Sequence, residues 1–148
     1  MSLLVDTNVL SELRKGDRAS AHVRTWFEAV SPEEIYLSVL VIGELRRGVE
    51  SIRRRDAKQA VALERWLTRI TTDHTERILP IDDRVADRWG RLTAKQPGSV
   101  IDTLMAATAL VHGLVLVTRN IRDVEWTGVS CVNPFEPAST SFVAPKRA

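Results

Sequence analysis

Apolar and polar residues follow two patterns along the chain: short apolar runs and longer repeats of helical period. A short apolar run bounded by turn-forming residues is typical of a buried strand in a parallel sheet. Such runs predict strands at 3–5, 35–38, 78–81, 114–118 and, more weakly, 129–132. Each run ends next to polar or turn-forming residues, so each predicted strand is short.

The longer repeats place apolar residues three and four positions apart, which is typical of amphipathic helices. They predict helices at 8–15, 19–30, 39–52, 57–75, from 82–83 through Leu92, and at 100–112, with a loop or helical turn at 119–123. The 100–112 helix is apolar on most faces and is predicted to be buried. In the 57–75 helix, one face is predicted to pack in the core or against another helix, and it comprises Leu63, Trp66, Leu67 and Ile70.

Predicted strands and helices alternate, which indicates an α/β fold with α/β/α layers around a mostly parallel sheet. Right-handed crossovers then place all the strand carboxyl ends at one edge of the sheet. A chain of 148 residues suits a single domain. We assign that domain to residues 1–133 and predict that 134–148, rich in Pro, Ser, Thr and Ala, form a peripheral or disordered tail.

The composition is that of a globular protein, with 44% hydrophobic residues. The longest apolar runs are far too short to span a membrane. Cys131 is the single cysteine, so no intrachain disulfide can form. No charged leader precedes the first predicted strand, and together these features predict a cytoplasmic protein.

The net charge of +2 is too small to indicate a nucleic-acid partner by itself. All but four of the 21 basic residues are arginines, whose planar guanidinium suits phosphate contacts. We attribute the larger part of that bias to codon usage in the host. The basic run at 53–55 is either a solvated turn or a phosphate contact.

Four acids stand in or beside predicted buried elements. Asp6 ends the first strand, Glu44 interrupts an apolar stretch, Asp102 opens the most apolar helix, and Asp123 follows the strand at 114–118. Each has an ordinary explanation. Asp6 or Asp102 could cap a helix, Glu44 could pair with a neighbouring arginine, and Asp123 could be a turn residue.

One explanation accounts for all four acids together: their oxygens meet at the carboxyl edge of the sheet, where open α/β sheets bind ligands. Carboxylates at close range repel one another, and a divalent cation removes that penalty. An all-oxygen set without a Cys or His cluster favours Mg²⁺ or Mn²⁺. The sequence contains no glycine-rich phosphate loop, no G-x-S-x-G and no H-E-x-x-H.

Four segments carry a resemblance to a known family: V-D-T-N-V-L-S-E-L, I-G-E-L-R-R-G-V, D-T-L-M-A-A-T-A-L-V-H-G and L-V-L-V-T-R-N-I-R-D. In this order and spacing they resemble PIN-domain ribonucleases, specifically the VapC toxins of bacterial toxin–antitoxin pairs and their FitB branch. The resemblance runs from about Leu3 to Asp123. It departs at Val124, where the family often has an aromatic residue, and this makes the placement of Asp123 less specific.

The resemblance implies a PIN fold, a Mg²⁺-dependent endoribonuclease and a cognate VapB-like antitoxin that covers the active site. It assigns the catalytic and metal-binding acids to Asp6, Glu44, Asp102 and Asp123. It assigns hydrogen-bonding support to Thr7, Asn8, Thr118 and Asn120. Arg119 and Arg122 flank this set, and we expect them to contact the RNA backbone.

The substrate implied is a tRNA, rRNA or mRNA, and the expected assembly is a homodimer joined to antitoxin, with operator DNA bound only through the antitoxin. Two rivals remain at this stage. One is a PIN-fold protein that acts mainly through an operator-bound complex with little nuclease activity. The other is a Mg²⁺ phosphohydrolase acting on small phosphate esters, which would need a phosphate-cradling loop.

Overall fold

The computed structural model describes residues 1–138, 140 and 142–143. These residues form six strands and six α-helices, joined by turns and short 3₁₀ helices. The strands are β1 (Leu3–Val5), β2 (Ile35–Ser38), β3 (Ile78–Leu79), β4 (Val115–Val117), β5 (Cys131–Val132) and β6 (Phe142–Val143). The helices are α1 (Thr7–Leu13), α2 (Ala21–Glu28), α3 (Val39–Arg53), α4 (Ala57–Asp73), α5 (Asp83–Lys95) and α6 (Val100–His112).

The sheet has the strand order β3-β2-β1-β4-β5-β6. The first five strands in this order pair in parallel, and β6 joins the edge antiparallel to β5. All three residues of β1 are buried, so both faces of the central strand are covered, as in α/β/α layers. The α/β class and the mostly parallel sheet predicted from the sequence are confirmed.

The most apolar helix, α6, has the bounds that its pattern predicts. Met105, Ala106 and Ala109 are buried in the core. The helix ends at Gly113, which adopts a left-handed conformation with φ of 66°, a common C-terminal signal because glycine carries no Cβ penalty there. Across the described part of the chain, no helix is both long and apolar enough to span a membrane.

The predicted face of α4 packs into the protein's own core. Leu63 and Leu67 are buried, and Trp66 and Ile70 are partly buried against the same cluster. In the neighbouring basic run at 53–55, Arg53 forms ion pairs with Glu50 and Glu64. The core interpretation of this face is therefore confirmed.

Two helices near the N-terminus are shorter than their patterns predict. Helix α1 was expected at 8–15 but begins at Thr7, because the Asp6 carboxylate accepts a hydrogen bond from the Thr7 N–H. It ends at Leu13, and a 3₁₀ helix follows at Gly16–Arg18. Helix α2 was expected at 19–30 but spans Ala21–Glu28. Before this helix, the Ser20 N–H donates a hydrogen bond to the Glu12 carboxylate, a contact that hydrophobic periodicity does not reveal.

Three strands are also shorter than predicted. Strand β3 ends at Leu79 and not at 81, because Pro80 has no N–H to continue the ladder. Strand β4 loses one residue at each end of the predicted 114–118. Strand β5 starts two residues later than the predicted 129–132, after Gly128 with its φ of 83°.

The described residues after 133 lie at the edge of the domain. Pro134 is buried, Phe135 packs against the core, and β6 extends the sheet. The peripheral or disordered tail expected at 134–148 stays a prediction. Residues 139, 141 and 144–148 lie outside the described residues, and the domain boundary at 133 stays a prediction.

Candidate active site at the carboxyl edge of the sheet

The strand order reverses at β1. From β1 the chain continues to β2 on one side and later returns to β4 on the other. Open α/β sheets bind their ligands in the crevice outside such a switch point, at the carboxyl ends of the strands. Asp6 directly follows β1, and Thr118 directly follows β4. The fold therefore places these two residues at the expected ligand site.

Asp6 is held by hydrogen bonds on both carboxylate oxygens. Its Oδ1 accepts from the Thr7 N–H at 2.7 Å. Its Oδ2 accepts from the Thr118 hydroxyl at 2.8 Å and from the Asn8 amide at 3.1 Å. The capping role that the sequence allowed for Asp6 is thus real. The additional bonds fix the orientation of its carboxylate at the sheet edge.

Burial makes ionised Asp6 unfavourable. The residue is 9% exposed, and desolvation raises the pKa of its carboxyl above the ordinary value of 3.8. Repulsion from Glu44 and Asp102 also raises this pKa, while the bonds from Thr118 and Thr7 lower it. The net direction is upward, so the protein holds a carboxylate where its negative charge is costly.

Glu44 and Asp102 complete an acidic group around Asp6. The Glu44 Oε1 accepts a hydrogen bond from the Thr7 hydroxyl at 2.8 Å, which ties α3 to the start of α1. The alternative pairing with Arg46 is wrong, because Arg46 bonds to Glu50 and Glu64. No ion pair joins Glu44 to Arg47 within the described residues.

Asp102 lies in the first turn of α6 and is partly buried. The capping-box alternative fails, because Ser99 makes no side-chain hydrogen bond at the helix start. Within the described residues, the Asp102 carboxylate has no hydrogen-bond or ion-pair partner. Its raising effect on the pKa of Asp6 places it in the same electrostatic group. Asp102 is therefore an uncommitted oxygen donor beside Asp6.

Asp123 is placed differently from the other three acids. It ends the 3₁₀ helix Ile121–Asp123 and is exposed. Its backbone carbonyl accepts from the Trp126 indole N–H at 3.0 Å. The structure thus joins Asp6, Glu44 and Asp102, and leaves Asp123 at the rim.

The predicted supporting residues form one connected network. The Thr118 hydroxyl donates to Asp6 and accepts from the Asn120 N–H at 3.1 Å. The Asn8 side chain donates to Asp6, and its Oδ1 accepts from the Arg119 N–H at 3.3 Å. The loop after β4 is therefore fastened to the Asp6 carboxylate from two directions.

Both predicted substrate-binding arginines are exposed beside this network. Arg119 and Arg122 line a cleft of about 570 Å³ together with Asp123 and Asn133. In the described part of the chain, neither guanidinium forms a hydrogen bond or an ion pair. Their donors are available to a ligand at the rim of the acidic site.

Two residues at this rim escaped the sequence analysis. The Asn133 amide donates to the Arg119 carbonyl at 3.5 Å, and the Phe135 ring lies under the Arg119 guanidinium at 4.7 Å. Both follow β5: Asn133 is the last residue of the predicted domain, and Phe135 lies in the segment that composition assigned to the tail. The signal available in the sequence was an aromatic residue, Phe135, two positions after the asparagine that follows the last predicted strand, and this signal is weak.

The chemistry of the donor set fits a hard divalent cation. Asp6, Glu44 and Asp102 offer carboxylate oxygens, which Mg²⁺ prefers. The Cys131 thiol is buried with its pKa raised to about 11, so it is protonated at neutral pH and offers no soft ligand. As they stand, no three His, Cys, Asp or Glu side chains among the described residues are arranged to hold a metal ion.

Removing the Asp6 charge should change how stability depends on pH. A carboxyl whose pKa is raised in the folded state stabilises below its unfolded pKa, and that stabilisation is lost as pH rises through the folded pKa. In chelator, Asp6→Asn should therefore gain thermal stability relative to wild type as pH rises from about 4 to 7. Thermal melts across this range check the prediction. A stability advantage of Asp6→Asn over wild type that grows as the pH falls would show that the hydrogen bonds to the Asp6 carboxylate outweigh its desolvation.

The sequence model of the PIN domain matches residues 3–124, and the chain belongs to the PIN domain family. VapC ribonuclease Y4jK of Sinorhizobium fredii is 33% identical over 141 residues, which cover 92% of this chain and 99% of that protein. Toxin FitB of Neisseria gonorrhoeae is 33% identical over 138 residues, which cover 90% of this chain and 98% of FitB. These relatives confirm the resemblance to the VapC and FitB toxins.

Solved structures agree with the sequence comparisons. FitAcB from Neisseria gonorrhoeae superposes with a TM-score of 0.80 at 30% identity, covering 90% of this chain and 99% of that one. FitAB bound to an IR36 DNA fragment gives a TM-score of 0.82 at 28% identity, covering 90% of this chain and 96% of that one. Over 90% of its length, the chain thus shares the fold of the matched chains in these FitAB structures.

Proposed function

We propose that this protein is the toxin of a type II toxin–antitoxin pair and acts as a Mg²⁺-dependent endoribonuclease. The observation that carries the proposal is Asp6, a buried carboxylate at the switch point whose charge is opposed by burial and by two further acids. Capping of α1 alone does not require the further bonds from Thr118 and Asn8 or the neighbouring acids, and perturbed acids at a ligand-binding edge are typical of functional sites. The single cysteine, which is buried and unpaired, fits a cytoplasmic toxin.

In this proposal Asp6, Glu44 and Asp102 hold the metal, and Asp123 joins them from the rim. Among the described residues these carboxylates are not arranged to hold an ion, so binding requires side-chain movement, and the bound cation would offset the repulsion between the acids. When bound, Mg²⁺ would lower the pKa of a coordinated water and offset charge on the scissile phosphate. Mn²⁺ has the same preference for oxygen ligands and should substitute.

The chain's own residues then have separate tasks. Thr118, Asn8 and the Thr7 N–H keep the Asp6 carboxylate in one orientation. The Thr7 hydroxyl orients Glu44. Arg119 and Arg122 attract the RNA backbone to an otherwise acidic cleft, because their guanidinium groups suit phosphate geometry. Specific cleavage would favour a single-stranded loop whose backbone can enter the cleft.

A substrate panel tests the reaction class. Single-stranded RNA, DNA and a small phosphate ester are each incubated with purified protein in Mg²⁺ or in chelator. The proposal expects cleavage of RNA in Mg²⁺ alone, and it expects product ends without a 2′,3′-cyclic phosphate, because water and not the 2′-hydroxyl attacks. Turnover of the small ester alone would favour a phosphohydrolase. No turnover of any substrate would favour the operator-bound rival.

We also propose an antitoxin partner and a homodimer. Solved relatives include FitAB bound to a DNA fragment and a toxin–antitoxin complex from Klebsiella pneumoniae. Here an apolar cavity of about 540 Å³, lined in part by Trp26, Phe27 and Trp66, offers a place for an antitoxin segment. Operator DNA would be bound through that partner, and nothing in the acidic site itself favours direct DNA binding.

An antitoxin that covers the acidic site should compete with the metal. A basic antitoxin side chain can pair with Asp6, Asp102 or Glu44, and the cation needs the same oxygens. We therefore expect raised Mg²⁺ to weaken inhibition, measured as RNA cleavage at fixed antitoxin. Inhibition that does not change with Mg²⁺, and that survives removal of every antitoxin residue near the acids, would show a distant mechanism.

A further inference from the structure

Arg119 is the most firmly held of the uncommitted basic residues at the site. Its N–H donates to Asn8 Oδ1 at 3.3 Å, and its carbonyl accepts from the Asn133 amide at 3.5 Å. Asn8 in turn donates to Asp6 at 3.1 Å. The backbone of Arg119 is therefore fixed relative to the central acid on one side and to the segment after β5 on the other.

The side chain of Arg119 is held as well. Its guanidinium lies 4.7 Å from the centre of the Phe135 ring, within the range of a cation–π contact. Phe135 is half-buried and packs against the core, and its N–H donates to Asn133 Oδ1 at 3.0 Å. The ring is thus a fixed platform, and the same asparagine supports both the platform and the Arg119 carbonyl.

The guanidinium keeps its hydrogen-bond donors free while it is stacked. Within the described residues it forms no ion pair, although Glu12 and Glu136 line the adjoining cleft. Glu12 is committed to Lys15 at 2.7 Å and to the Ser20 N–H at 2.8 Å. Stacking through its face leaves the edge of a guanidinium available, and that edge matches the oxygens of a phosphate.

We propose that Asn133 and Phe135 are positioning residues that hold Arg119 as a preset contact for an RNA phosphate next to the acidic site. The inference rests on the proposed function and adds a part of the chain beyond residues 3–124, where the PIN domain match ends. The segment after β5 then takes part in substrate binding. Preset side chains bind more tightly because less rotamer freedom is lost on binding.

Equilibrium binding of a fluorescent single-stranded RNA, in chelator so that it stays intact, tests the proposal. Phe135→Leu keeps an apolar side chain but removes the aromatic face, and we expect the RNA Kd to rise about two- to fivefold. Phe135→Tyr should restore wild-type affinity. In an Arg119→Ala background, Phe135→Leu should have no further effect. Arg119→Ala itself should lower the slope of log affinity against log salt by about 0.7, the value of one single-strand phosphate contact.

Two further variants keep the test decisive. Phe142→Leu changes an exposed aromatic residue of β6 and should leave the Kd unchanged. Arg119→Lys preserves the charge without the planar stack, so the salt slope should persist while the Kd rises by about two- to fivefold. This surface substitution reports on the stack even if Phe135→Leu proves unstable.

The contrary outcomes are distinct. If Phe135→Leu weakened RNA binding equally with and without Arg119, Phe135 would have only a structural role. If Arg119→Ala left the slope of log affinity against log salt unchanged, Arg119 would not contact a phosphate. Either result overturns the inference while RNA binding by wild type leaves the proposed function standing. Absence of both RNA binding in chelator and RNA cleavage in Mg²⁺ by wild type would instead overturn the proposed function. Loss of antitoxin affinity alone in these variants would assign the stacked arginine to the protein partner.

Discussion

Asp6→Asn should lower RNA cleavage by at least about 100-fold, since replacing residues that only support a metal ligand already costs 10- to 100-fold. The substitution preserves size and one oxygen, but it removes the charge that draws a cation to the switch point. Asp102→Asn should have a comparable effect, because its carboxylate is uncommitted beside Asp6. Initial rates on a defined RNA at saturating Mg²⁺ measure both losses.

A matched substitution separates this effect from a general change of charge. Asp17 is exposed in the 3₁₀ helix after α1, and it has no hydrogen bond or ion pair to any described residue. Asp17→Asn should cleave RNA at the wild-type rate. If Asp6→Asn and Asp17→Asn cleave equally well, Asp6 is not a metal ligand and its burial has another cause.

Thr118→Val should raise the Mg²⁺ concentration needed for half-maximal cleavage by about 10-fold or more, within the range for residues that orient a metal ligand. The valine methyl groups fill the same space, but the bond of 2.8 Å to Asp6 Oδ2 is lost. The Asp6 carboxylate then keeps its burial with fewer donors, so its pKa rises further and its ionised form becomes scarcer. Cleavage rates measured across a Mg²⁺ titration give the shift.

Thr108→Val is the matched control for Thr118→Val. Thr108 is fully buried in α6, and its hydroxyl donates to the Leu104 carbonyl of the same helix. Its replacement should leave the half-maximal Mg²⁺ concentration unchanged, whatever it does to thermal stability. Equal shifts in both valine variants would indicate a stability effect and not a role for Thr118 at the metal site.

Most of the fold could be predicted because buried strands and helices each have a characteristic local pattern of apolar residues. Strand β2 and helix α6 have the predicted bounds. The errors fall where a single side chain decides the end of an element. Asp6 starts α1 one residue early, and Pro80 ends β3. Hydrophobic periodicity does not contain such information, since it depends on which polar partner a loop brings close.

The candidate site was predictable in part for a related reason. Asp6, Glu44 and Asp102 belong to buried or half-buried elements, where an acid is conspicuous, and the parallel topology brings those elements to one edge. Asp123 lies among turn-forming residues, whose conformation a sequence pattern does not specify, and the chain direction after β4 places it at the rim. Asn133 and Phe135 were missed because their significance comes from the position of Arg119, which is distant in sequence.

The apolar face of α4 illustrates the limit of inferring assembly from a helical pattern. A strong apolar face in a small domain can pair with a second copy, but Leu63 and Leu67 of this face are buried in the chain's own core and Trp66 and Ile70 are partly buried against it. The outer side of α4 does expose Val61. A homodimer would therefore need contacts that the helical pattern does not identify.

The most direct test of the central claim is a Mg²⁺ titration of single-stranded RNA cleavage by wild type and Asp6→Asn, with analysis of the product ends. We expect saturable Mg²⁺-dependent cleavage by wild type, full loss in chelator, recovery when Mg²⁺ is restored, and ends without cyclic phosphate. Asp6→Asn should remain near background throughout. Cleavage by wild type that persists in chelator, or that leaves 2′,3′-cyclic phosphate ends, would contradict a metal-dependent hydrolytic site at Asp6.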